Sequence, residues 1–397
     1  MGCNDCKNLK EKEIYIVIKK DKHRARFNII RNPLPLELML KINFKGIKSK
    51  KAKNENHTNE IQIIHELKSK KLGILFSRFL GIYSSNTFME IKRIEPDYKL
   101  IQAKDDNNYF SRFVNFLELK NKDIIIWTYR VILLYKLTKR NYILYQVINE
   151  HEQASKKIID NYPWKPFEYY NIISICELLN GNLVSCNSCG LRIYYKENNI
   201  YVLKDIIDFQ YDIDNAIEIK PNVLLLLKRQ IIPGGKCHPA RYAHEITMYD
   251  IIEDKEVKLN SSLNDKWNSA KIHYLLKDKF IFIRYGDDLD VYNIKKNMQL
   301  LKKGNDIYED DDENFRKKLQ PKMRISLLCD YFYNLFIAKD KENKIKIYQF
   351  KEEKIKYFCD FPFQNKNIKG IIKLRNNAFI MYSNIDLMVL NYLSNTN

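Results

Sequence analysis

The chain has 397 residues, of which 45% are hydrophobic and 29% charged, and its eight Cys residues lack the regular spacing of a disulfide framework. This apolar content suffices for a large core, which excludes a small scaffold that depends on disulfides. The formal net charge of +19 permits attraction to an acidic protein or an anionic membrane, whereas nucleic acid is not favoured, because the Lys residues are scattered over the turns and no nucleic-acid-binding module is present.

The chain opens with the sequence MGCNDCK. Gly2 becomes the acceptor for N-myristoylation once the initiator Met is removed, and Cys3 and Cys6 lie close enough to receive palmitate. A second acyl chain or a basic segment converts the marginal membrane binding of one myristoyl chain into stable attachment. Cys6 stands where the motif has Ser or Thr, and the alternative is an ordinary, unmodified Gly2. The sequence predicts lipidation at Gly2, Cys3 and Cys6.

Two strand-like segments follow, EIYIVIKK at 13–20 and LELMLKINF at 36–44. The polar and basic stretch 45–59 is predicted to lack regular structure. We therefore divide the chain into an N-terminal segment, residues 1–59, and a repeat domain, residues 60–397.

Within the repeat domain a short phrase returns, in which alternating apolar positions precede a Tyr. It reads VILLYKL at 131–137, LRIYY at 191–195, EITMYDI at 245–251, LDVYNI at 289–294 and IKIYQF at 345–350. Period-two alternation indicates strands, and recurrence every roughly 40 to 60 residues indicates a repeat architecture. Asn180-Gly181, between two alternating runs, indicates a tight hairpin.

Each copy lies in a unit of four short antiparallel strands, which is the pattern of one propeller blade. Seven units follow Glu60, and the last lacks its outer strand. The sequence therefore predicts an all-β, seven-bladed β-propeller of four-stranded antiparallel blades, with the last blade closed by an N-terminal strand. Glu13–Lys20 is the first candidate for that strand and 36–44 is the second. In the alternative, both segments are additions and the blade count differs.

The third unit, LLNGNLVSCNSCGLRIYY at 178–195, resembles a blade of the WD-repeat family. In that family the turn before the third strand commonly reads Ser-x-Asp-Gly and the strand ends in Trp-Asp. Here Ser188-Cys189-Gly190 forms the turn, and Tyr194-Tyr195 replaces Trp-Asp. The resemblance covers roughly residues 60–397 as a pattern and implies a WD-like propeller. The family's Gly-His pair is absent, so its His–Asp–Trp hydrogen-bond network is not expected; a Kelch-type propeller is the nearest alternative, without its double-Gly signature.

Motifs for catalysis are missing from the sequence, which contains no phosphate-binding Gly-rich loop, no His-Glu-x-x-His and no Gly-x-Ser-x-Gly. Cys186-x-x-Cys189 has the spacing of half a zinc site, but the local candidate for a second half, Cys237-His238, lies about fifty residues further on. We therefore predict no metal, no cofactor and no enzymatic activity. An enzyme built on a propeller frame is the last-ranked hypothesis.

Three long insertions carry the recognition hypothesis: 151–169 and 302–321 lie between blades, and 230–244 lies between the second and third strands of one blade. In a four-stranded meander these positions share one face of the disc. Long loops on a rigid scaffold commonly hold binding residues, and exposed aromatic and Arg residues dominate interface energetics. The residues predicted to contact a partner are Trp164, Lys165, Phe167, Lys236, His238, Arg241 and Tyr242. The alternative is that the insertions are neutral.

The resulting functional prediction is a non-catalytic, protein-binding scaffold subunit of a larger assembly that uses the loop-rich face. The alternative is an acylated peripheral membrane adaptor that uses its N-terminus and basic surface. No apolar run is long enough to cross a membrane, and residues 1–13 lack the apolar core of a secretory signal. We therefore expect an intracellular, cytoplasmic protein, with the cytoplasmic face of a membrane as the location of the adaptor.

Overall fold

The computed structural model describes residues 14–18, 26–30, 36–43, 60–97, 113–139, 141–150, 171–188, 190–209, 211–232, 241–264, 271–275, 280–285, 288–293, 299–302, 328–332, 335–339, 344–351, 354–364 and 367–392. These residues form thirty β-strands. Three of the strands precede residue 60: β1 (Ile14–Ile18), β2 (Arg26–Ile30) and β3 (Leu36–Asn43).

Six sheets, blades 1 to 6, are each made of four consecutive antiparallel strands, which we call a, b, c and d in chain order. Blade 1 contains β4 (Ile61–Glu66), β5 (Lys71–Phe76), β6 (Leu80–Ser84) and β7 (Glu90–Ile94). Blade 2 contains β8 (Phe113–Glu118), β9 (Ile124–Thr128), β10 (Val131–Leu137) and β11 (Tyr142–Asn149). Blade 3 contains β12 (Ile172–Glu177), β13 (Leu183–Asn187), β14 (Gly190–Glu197) and β15 (Ile200–Asp208).

The later blades follow the same order. Blade 4 contains β16 (Asp212–Lys220), β17 (Val223–Ile232), β18 (Arg241–Asp250) and β19 (Lys255–Asn264). Blade 5 contains β20 (Lys271–Leu275), β21 (Phe280–Tyr285), β22 (Asp288–Asn293) and β23 (Gln299–Lys302). Blade 6 contains β24 (Leu328–Phe332), β25 (Leu335–Lys339), β26 (Ile345–Lys351) and β27 (Lys354–Asp360).

The predicted fold needs a correction at its closure. Six blades, not seven, consist of consecutive strands; the remaining four-stranded sheet joins β28 (Gly370–Lys373), β29 (Phe379–Tyr382) and β30 (Asp386–Tyr392) to β3. The register of this composite sheet runs from Leu36 opposite Tyr392 to Asn43 opposite Asp386. The favoured closing segment, Glu13–Lys20, was the wrong choice, because β1 within it pairs with β2 in a separate two-stranded sheet.

The sheets follow one another in a closed ring through their a strands. Each a strand contacts the a strand of the next sheet, and β28 of the composite sheet contacts β4 of blade 1. The amide of Ile61 donates to the carbonyl oxygen of Asn384 over 2.7 Å at this junction. Apolar clusters lie between neighbouring sheets, and one of them packs Leu374 and Ile380 against Ile64 and Leu72. The core is therefore a series of layers between blades.

The repeated Tyr lies in strand c of its blade, as the sequence predicted. Five copies, Tyr135, Tyr194, Tyr249, Tyr292 and Tyr348, are each at most 5% exposed. A β-bulge in the c–d pairing falls directly before the Tyr in blades 2, 3, 5 and 6. A bulge strengthens the local twist of a strand, so it matches the outer edge of each blade to the twist of a propeller.

The hairpin turns between strands a and b share one conformation. In four of them a Leu at the start of the turn donates its amide to the carbonyl four residues later, at Leu67, Leu119, Leu178 and Leu374. The residue three positions after this Leu adopts a left-handed φ in each turn: Lys70 (58°), Lys122 (70°), Gly181 (87°) and Asn377 (68°). Asn180-Gly181 thus forms the tight hairpin that the sequence indicated.

A glutamate near the end of strand a joins each of four blades to the a–b turn of the preceding sheet. We call these residues the latch glutamates. Each accepts a hydrogen bond from a backbone amide of that turn: Glu66 from Arg375 (2.9 Å), Glu118 from Ser69 (3.3 Å), Glu177 from Lys120 (2.8 Å) and Glu218 from Leu179. The turns lack strand partners for these amides, so the carboxylates satisfy them.

Candidate functional face

The predicted site residues fall mostly outside the described residues. This holds for the lipidation residues Gly2, Cys3 and Cys6, and for the partner-binding residues Trp164, Lys165, Phe167, Lys236 and His238. Arg241 and Tyr242 lie in β18, where the backbone alone is described. The structure therefore describes the attachment points of two of the predicted insertions, and their roles in binding remain predictions.

The insertion after blade 2 is held at both ends by neighbouring backbone. At its start, the amide of Glu150 donates to the carbonyl oxygen of Arg130 over 3.1 Å. At its end, the amide of Ile172 donates to the carbonyl oxygen of Tyr129 over 2.7 Å, and the amide of Asn171 donates to Ser188 Oγ over 3.3 Å. The insertion therefore leaves from and returns to the b–c turns of blades 2 and 3. We call this side of the ring, which carries the b–c turns and the connections between blades, the loop face.

Glu150, the last described residue before that insertion, is the centre of a buried polar cluster. Its carboxylate forms an ion pair with Arg192 (2.6 Å between Oε2 and Nη1) and accepts hydrogen bonds from the Tyr194 hydroxyl (2.9 Å) and from Ser185 Oγ. Glu150 is fully buried and Arg192 is 2% exposed. Burial and the adjacent Glu150 charge raise the pKa of Tyr194 well above its usual range.

No role was predicted from the sequence for Glu150, Ser185 or Arg192, which form this cluster with Tyr194. The WD-repeat family has a His–Asp–Trp network, which was not expected here because the sequence has no Gly-His pair in its units. In blade 3 a carboxylate from the inter-blade connection, Glu150, binds a hydroxyl of strand b, Ser185, and a phenol of strand c, Tyr194. The signal available in the sequence was Tyr194 in the Trp position; nothing nearby in sequence pointed to Glu150.

Blade 4 extends beyond the other blades on the loop face. Its strands b, c and d have ten residues each, whereas β9 and β13 have five. The pairing of β17 with β16 ends at Arg229, but β17 continues to Ile232, opposite Arg241. The predicted loop 230–244 is therefore shorter than expected, because its two ends are strands. Three further residues at about 3.4 Å each carry the ribbon about 10 Å past β16.

Charged side chains fix the base of this ribbon. Arg229 Nη2 lies 3.3 Å from Asp212 Oδ2 and 3.1 Å from Asp214 Oδ1, so one guanidinium holds two carboxylates of β16. His244 stands opposite Arg229 in the sheet and is 2% exposed. Burial, and secondly the Arg229 charge, lower the pKa of His244 to about 4, so this imidazole is neutral at physiological pH.

Lys228 anchors the ribbon from the other face of β17. It is 1% exposed, and its Nζ contacts the Glu256 carboxylate of β19. The same ammonium lies 4.1 Å from the centre of the Phe209 ring and 5.5 Å from that of Tyr211. A cation between a carboxylate and aromatic rings compensates its lost hydration, so β17 is tied to β19 and to the segment before blade 4.

The described residues offer little for catalysis or metal binding. Burial raises the pKa of the Cys186 thiol to about 12, which keeps it protonated and unreactive, and its predicted partner Cys189 lies outside the described residues. Within the described ranges no three His, Cys, Asp or Glu residues come together as a metal site would require. A search of the same ranges for a helix with the length and hydropathy of a membrane span finds none.

Comparisons with known proteins support the fold. No family model matches the chain, and no curated protein does. Among solved structures, the chain is similar to a chain in a crystal structure of the mitotic checkpoint complex, with a TM-score of 0.58 and 7% identity over 95% of this chain and 98% of that one. It is also similar to the Cps50 (Swd1) β-propeller domain of Myceliophteria thermophila, with a TM-score of 0.54 and 6% identity over 86% and 100% of the two chains.

A third similar structure is streptogramin B lyase, with a TM-score of 0.52 and 11% identity over 89% of this chain and 98% of that one. At these identities the likeness shows a β-propeller fold and no more. The β-propeller part of the prediction is thus supported, and the finer resemblance to the WD-repeat family stays a prediction. Because an enzyme and members of protein assemblies share this fold, activity has to be argued from the residues of this chain.

Proposed function

We propose that this chain is a non-catalytic propeller that binds a protein partner with the loop face over blades 2 to 4. The observation that carries the proposal is the extended blade 4, whose ribbon projects past β16. Its base is fixed by Arg229 with Asp212 and Asp214, and by Lys228 with Glu256. Contacts that hold the base of the ribbon in place reduce the entropy lost on binding, which favours association.

The attachment of the 151–169 insertion supports the same surface. Its ends are fastened at the b–c turns of blades 2 and 3, so the insertion and the ribbon emerge from the same face of adjacent blades. The insertion carries Trp164, Lys165 and Phe167, and the ribbon carries Arg241 and Tyr242. Aromatic and Arg side chains are the types that dominate interface energetics.

Partner capture tests the proposal. We expect that the double variant Arg241→Ala/Tyr242→Ala and the single variant Trp164→Ala lower the yield of cross-linked partner captured from the source cell, with unchanged melting temperatures. The matched control is Glu253→Ala/Lys255→Ala, at the exposed c–d turn at the opposite end of the same blade. Equal loss in the control, or full capture by both loop-face variants, would overturn the proposal.

An acylated membrane adaptor is the second candidate. It is supported by Gly2, Cys3 and Cys6 in the opening MGCNDCK and by the nearby Lys7, Lys10 and Lys12, each of which adds roughly 1 kcal/mol of attraction to an anionic leaflet. Intact-mass measurement of the native protein would then show a myristoyl increment and a hydroxylamine-sensitive palmitoyl increment. Gly2→Ala would move the protein from the membrane pellet to the supernatant, and an unmodified native mass would remove this candidate.

A further inference from the structure

Three adjacent a–b turns place cations on the side of the ring opposite the loop face. They belong to the composite sheet, blade 1 and blade 2, and their exposed basic residues are Arg375, Lys68, Lys70, Lys120 and Lys122. We call these five residues the basic turn patch. The latch bonds join these turns edge to edge, since Glu66 binds the Arg375 amide and Glu118 binds the Ser69 amide. The cations therefore form one continuous surface.

The carboxylates nearest to the patch are withdrawn from its surface. The side chain of Glu66 is 13% exposed, that of Glu177 is 8% exposed, and residue Glu118 as a whole is 5% exposed. All three bind backbone amides, as described above. Lys68 pairs with Glu177 over 3.1 Å, and Lys120 Nζ donates to the carbonyl oxygens of Leu178 and Leu179 over 3.0 and 2.9 Å. Arg375 Nε also lies 3.9 Å from Glu66 Oε2. The acidic groups thus face the ring, and among the described residues Lys70 and Lys122 are the patch cations whose ammonium groups make no such contact.

Lys70 and Lys122 are exposed cations of the patch, and their backbone positions are unusual. Both are in the left-handed region, where the equivalent residues of the other turns are Gly181 and Asn377. Gly and Asn tolerate this conformation, whereas a Lys side chain there is strained. The left-handed conformation belongs to the a–b turn, in which the amides of Lys70 and Lys122 donate to the carbonyl oxygens of Leu67 and Leu119. Among the described residues neither ammonium forms an ion pair, so the turn explains the conformation but not the choice of Lys. Because Gly or Asn would form this turn with less strain, Lys at these two positions points to a role at the surface.

The patch ends at an apolar residue. Leu179, in the a–b turn of blade 3, is 59% exposed, and the rest of that turn is Asn180 and Gly181, which carry no charge. The Leu179 amide is held by the latch glutamate Glu218. The surface therefore presents a row of cations followed by one fixed apolar contact.

We propose that the basic turn patch, together with Leu179, binds an acidic protein segment that carries one apolar residue. Single-stranded nucleic acid is disfavoured because the patch has no aromatic side chain on which a base could stack. A membrane surface is disfavoured because, apart from Leu179, these turns expose no large apolar group for insertion into lipid. An extended segment of about six residues spans roughly 20 Å, which suits three neighbouring turns. This surface is separate from the loop face of the proposed function.

Fluorescence anisotropy with a defined probe tests the proposal. The probe is a fluorescein-labelled twelve-residue peptide of Asp and Glu with one central Leu, compared with the same peptide carrying Ser in place of that Leu. We expect that Lys70→Asn/Lys122→Asn weakens binding about fivefold or more at 50 mM salt and less at 300 mM, because the interaction is between exposed charges. The melting temperature should stay equal or rise, because Asn relieves the left-handed strain.

Two comparisons make the outcome specific. The variant Lys220→Asn/Lys255→Asn removes the same charge from blade 4, outside the patch, and should bind as the unmodified protein does. The Leu-to-Ser peptide and Leu179→Ser should each weaken binding. The proposal is overturned if the unmodified protein does not bind the acidic peptide, or if both Lys pairs have equal effects. It is also overturned if phosphatidylserine vesicles or a poly(dT) oligonucleotide bind more tightly than the peptide in a patch-dependent way.

Discussion

Replacing Arg192 by Met should destabilise the ring strongly, because it leaves the Glu150 carboxylate buried without its counter-ion. Glu150 is fully buried and its Oε2 lies 2.6 Å from Arg192 Nη1. Removing one partner of a buried ion pair costs about 3 to 5 kcal/mol. Glu150 keeps the hydroxyls of Tyr194 and Ser185, so we place Arg192→Met near the lower end, about 3 kcal/mol.

Urea unfolding and the melting temperature measure this cost. At roughly 2 °C for each kcal/mol, the melting temperature should fall by about 6 °C. The double variant Glu150→Met/Arg192→Met removes both charges. It leaves the hydroxyls of Tyr194 and Ser185 without their acceptor, at a cost of about 1 to 3 kcal/mol for each hydroxyl. We therefore expect the double variant to be more stable than the sum of the two single changes allows. If Arg192→Met costs less than about 1 kcal/mol, or if the single effects simply add, the cluster does not act as a buried ion pair.

Three further predictions concern other parts of the ring. Deleting Leu36–Asn43 should expose the edge of β30 and cause aggregation, whereas deleting Ile14–Ile18 should leave the melting temperature unchanged; the reverse result would contradict the closing strand. Between about pH 6.5 and pH 4 only the unfolded chain protonates His244, so the native state should lose about 2 to 3 kcal/mol by pH 4.5 relative to pH 7, and His244→Gln should abolish this loss in urea titrations. Calorimetry of Glu177→Ala should show a loss of about 1 to 2 kcal/mol, because the Lys120 amide loses its acceptor; an effect as small as that of the exposed Glu197→Ala would argue against the latch.

The strands were predictable from the sequence because their signals are local. Alternation of apolar residues placed the repeated Tyr in strand c, and Asn180-Gly181 marked an a–b turn. The b strands follow a different rule, since every residue of Ile124–Thr128 is buried. A strand covered on both faces has a continuous apolar run, and such a run still indicates a strand when turns bound it.

The closing strand could not be chosen from the sequence, because pairing between distant segments is not a local property. EIYIVIKK and LELMLKINF both alternate and both have strand-forming residues. They differ in their partners, because Leu36–Asn43 pairs with β30 whereas Ile14–Ile18 pairs with β2. The ribbon of blade 4 was missed for a related reason: Pro233, Gly234 and Gly235 indicated a loop, and the flanking residues were assigned to it, although 230–232 and 241–244 continue the strands.

The candidate sites show the same limit for charged residues. A Glu before a polar turn is ordinarily interpreted as a solvated charge, and the sequence led to no prediction for Glu66, Glu118, Glu177 or Glu218. Comparison of the units would have found them, because each precedes Leu or Ile at the start of an a–b turn. Each a–b turn has amides without strand partners, and the next blade must supply an acceptor. A carboxylate that accepts these bonds is largely withdrawn from the surface, so it neutralises the nearby cations only in part, as in the pairs of Glu177 with Lys68 and of Glu66 with Arg375. The exposed Lys and Arg residues of the same turns are therefore in excess. The contacts that join these blades thus also determine the sign of the charge that this side of the ring presents to a partner.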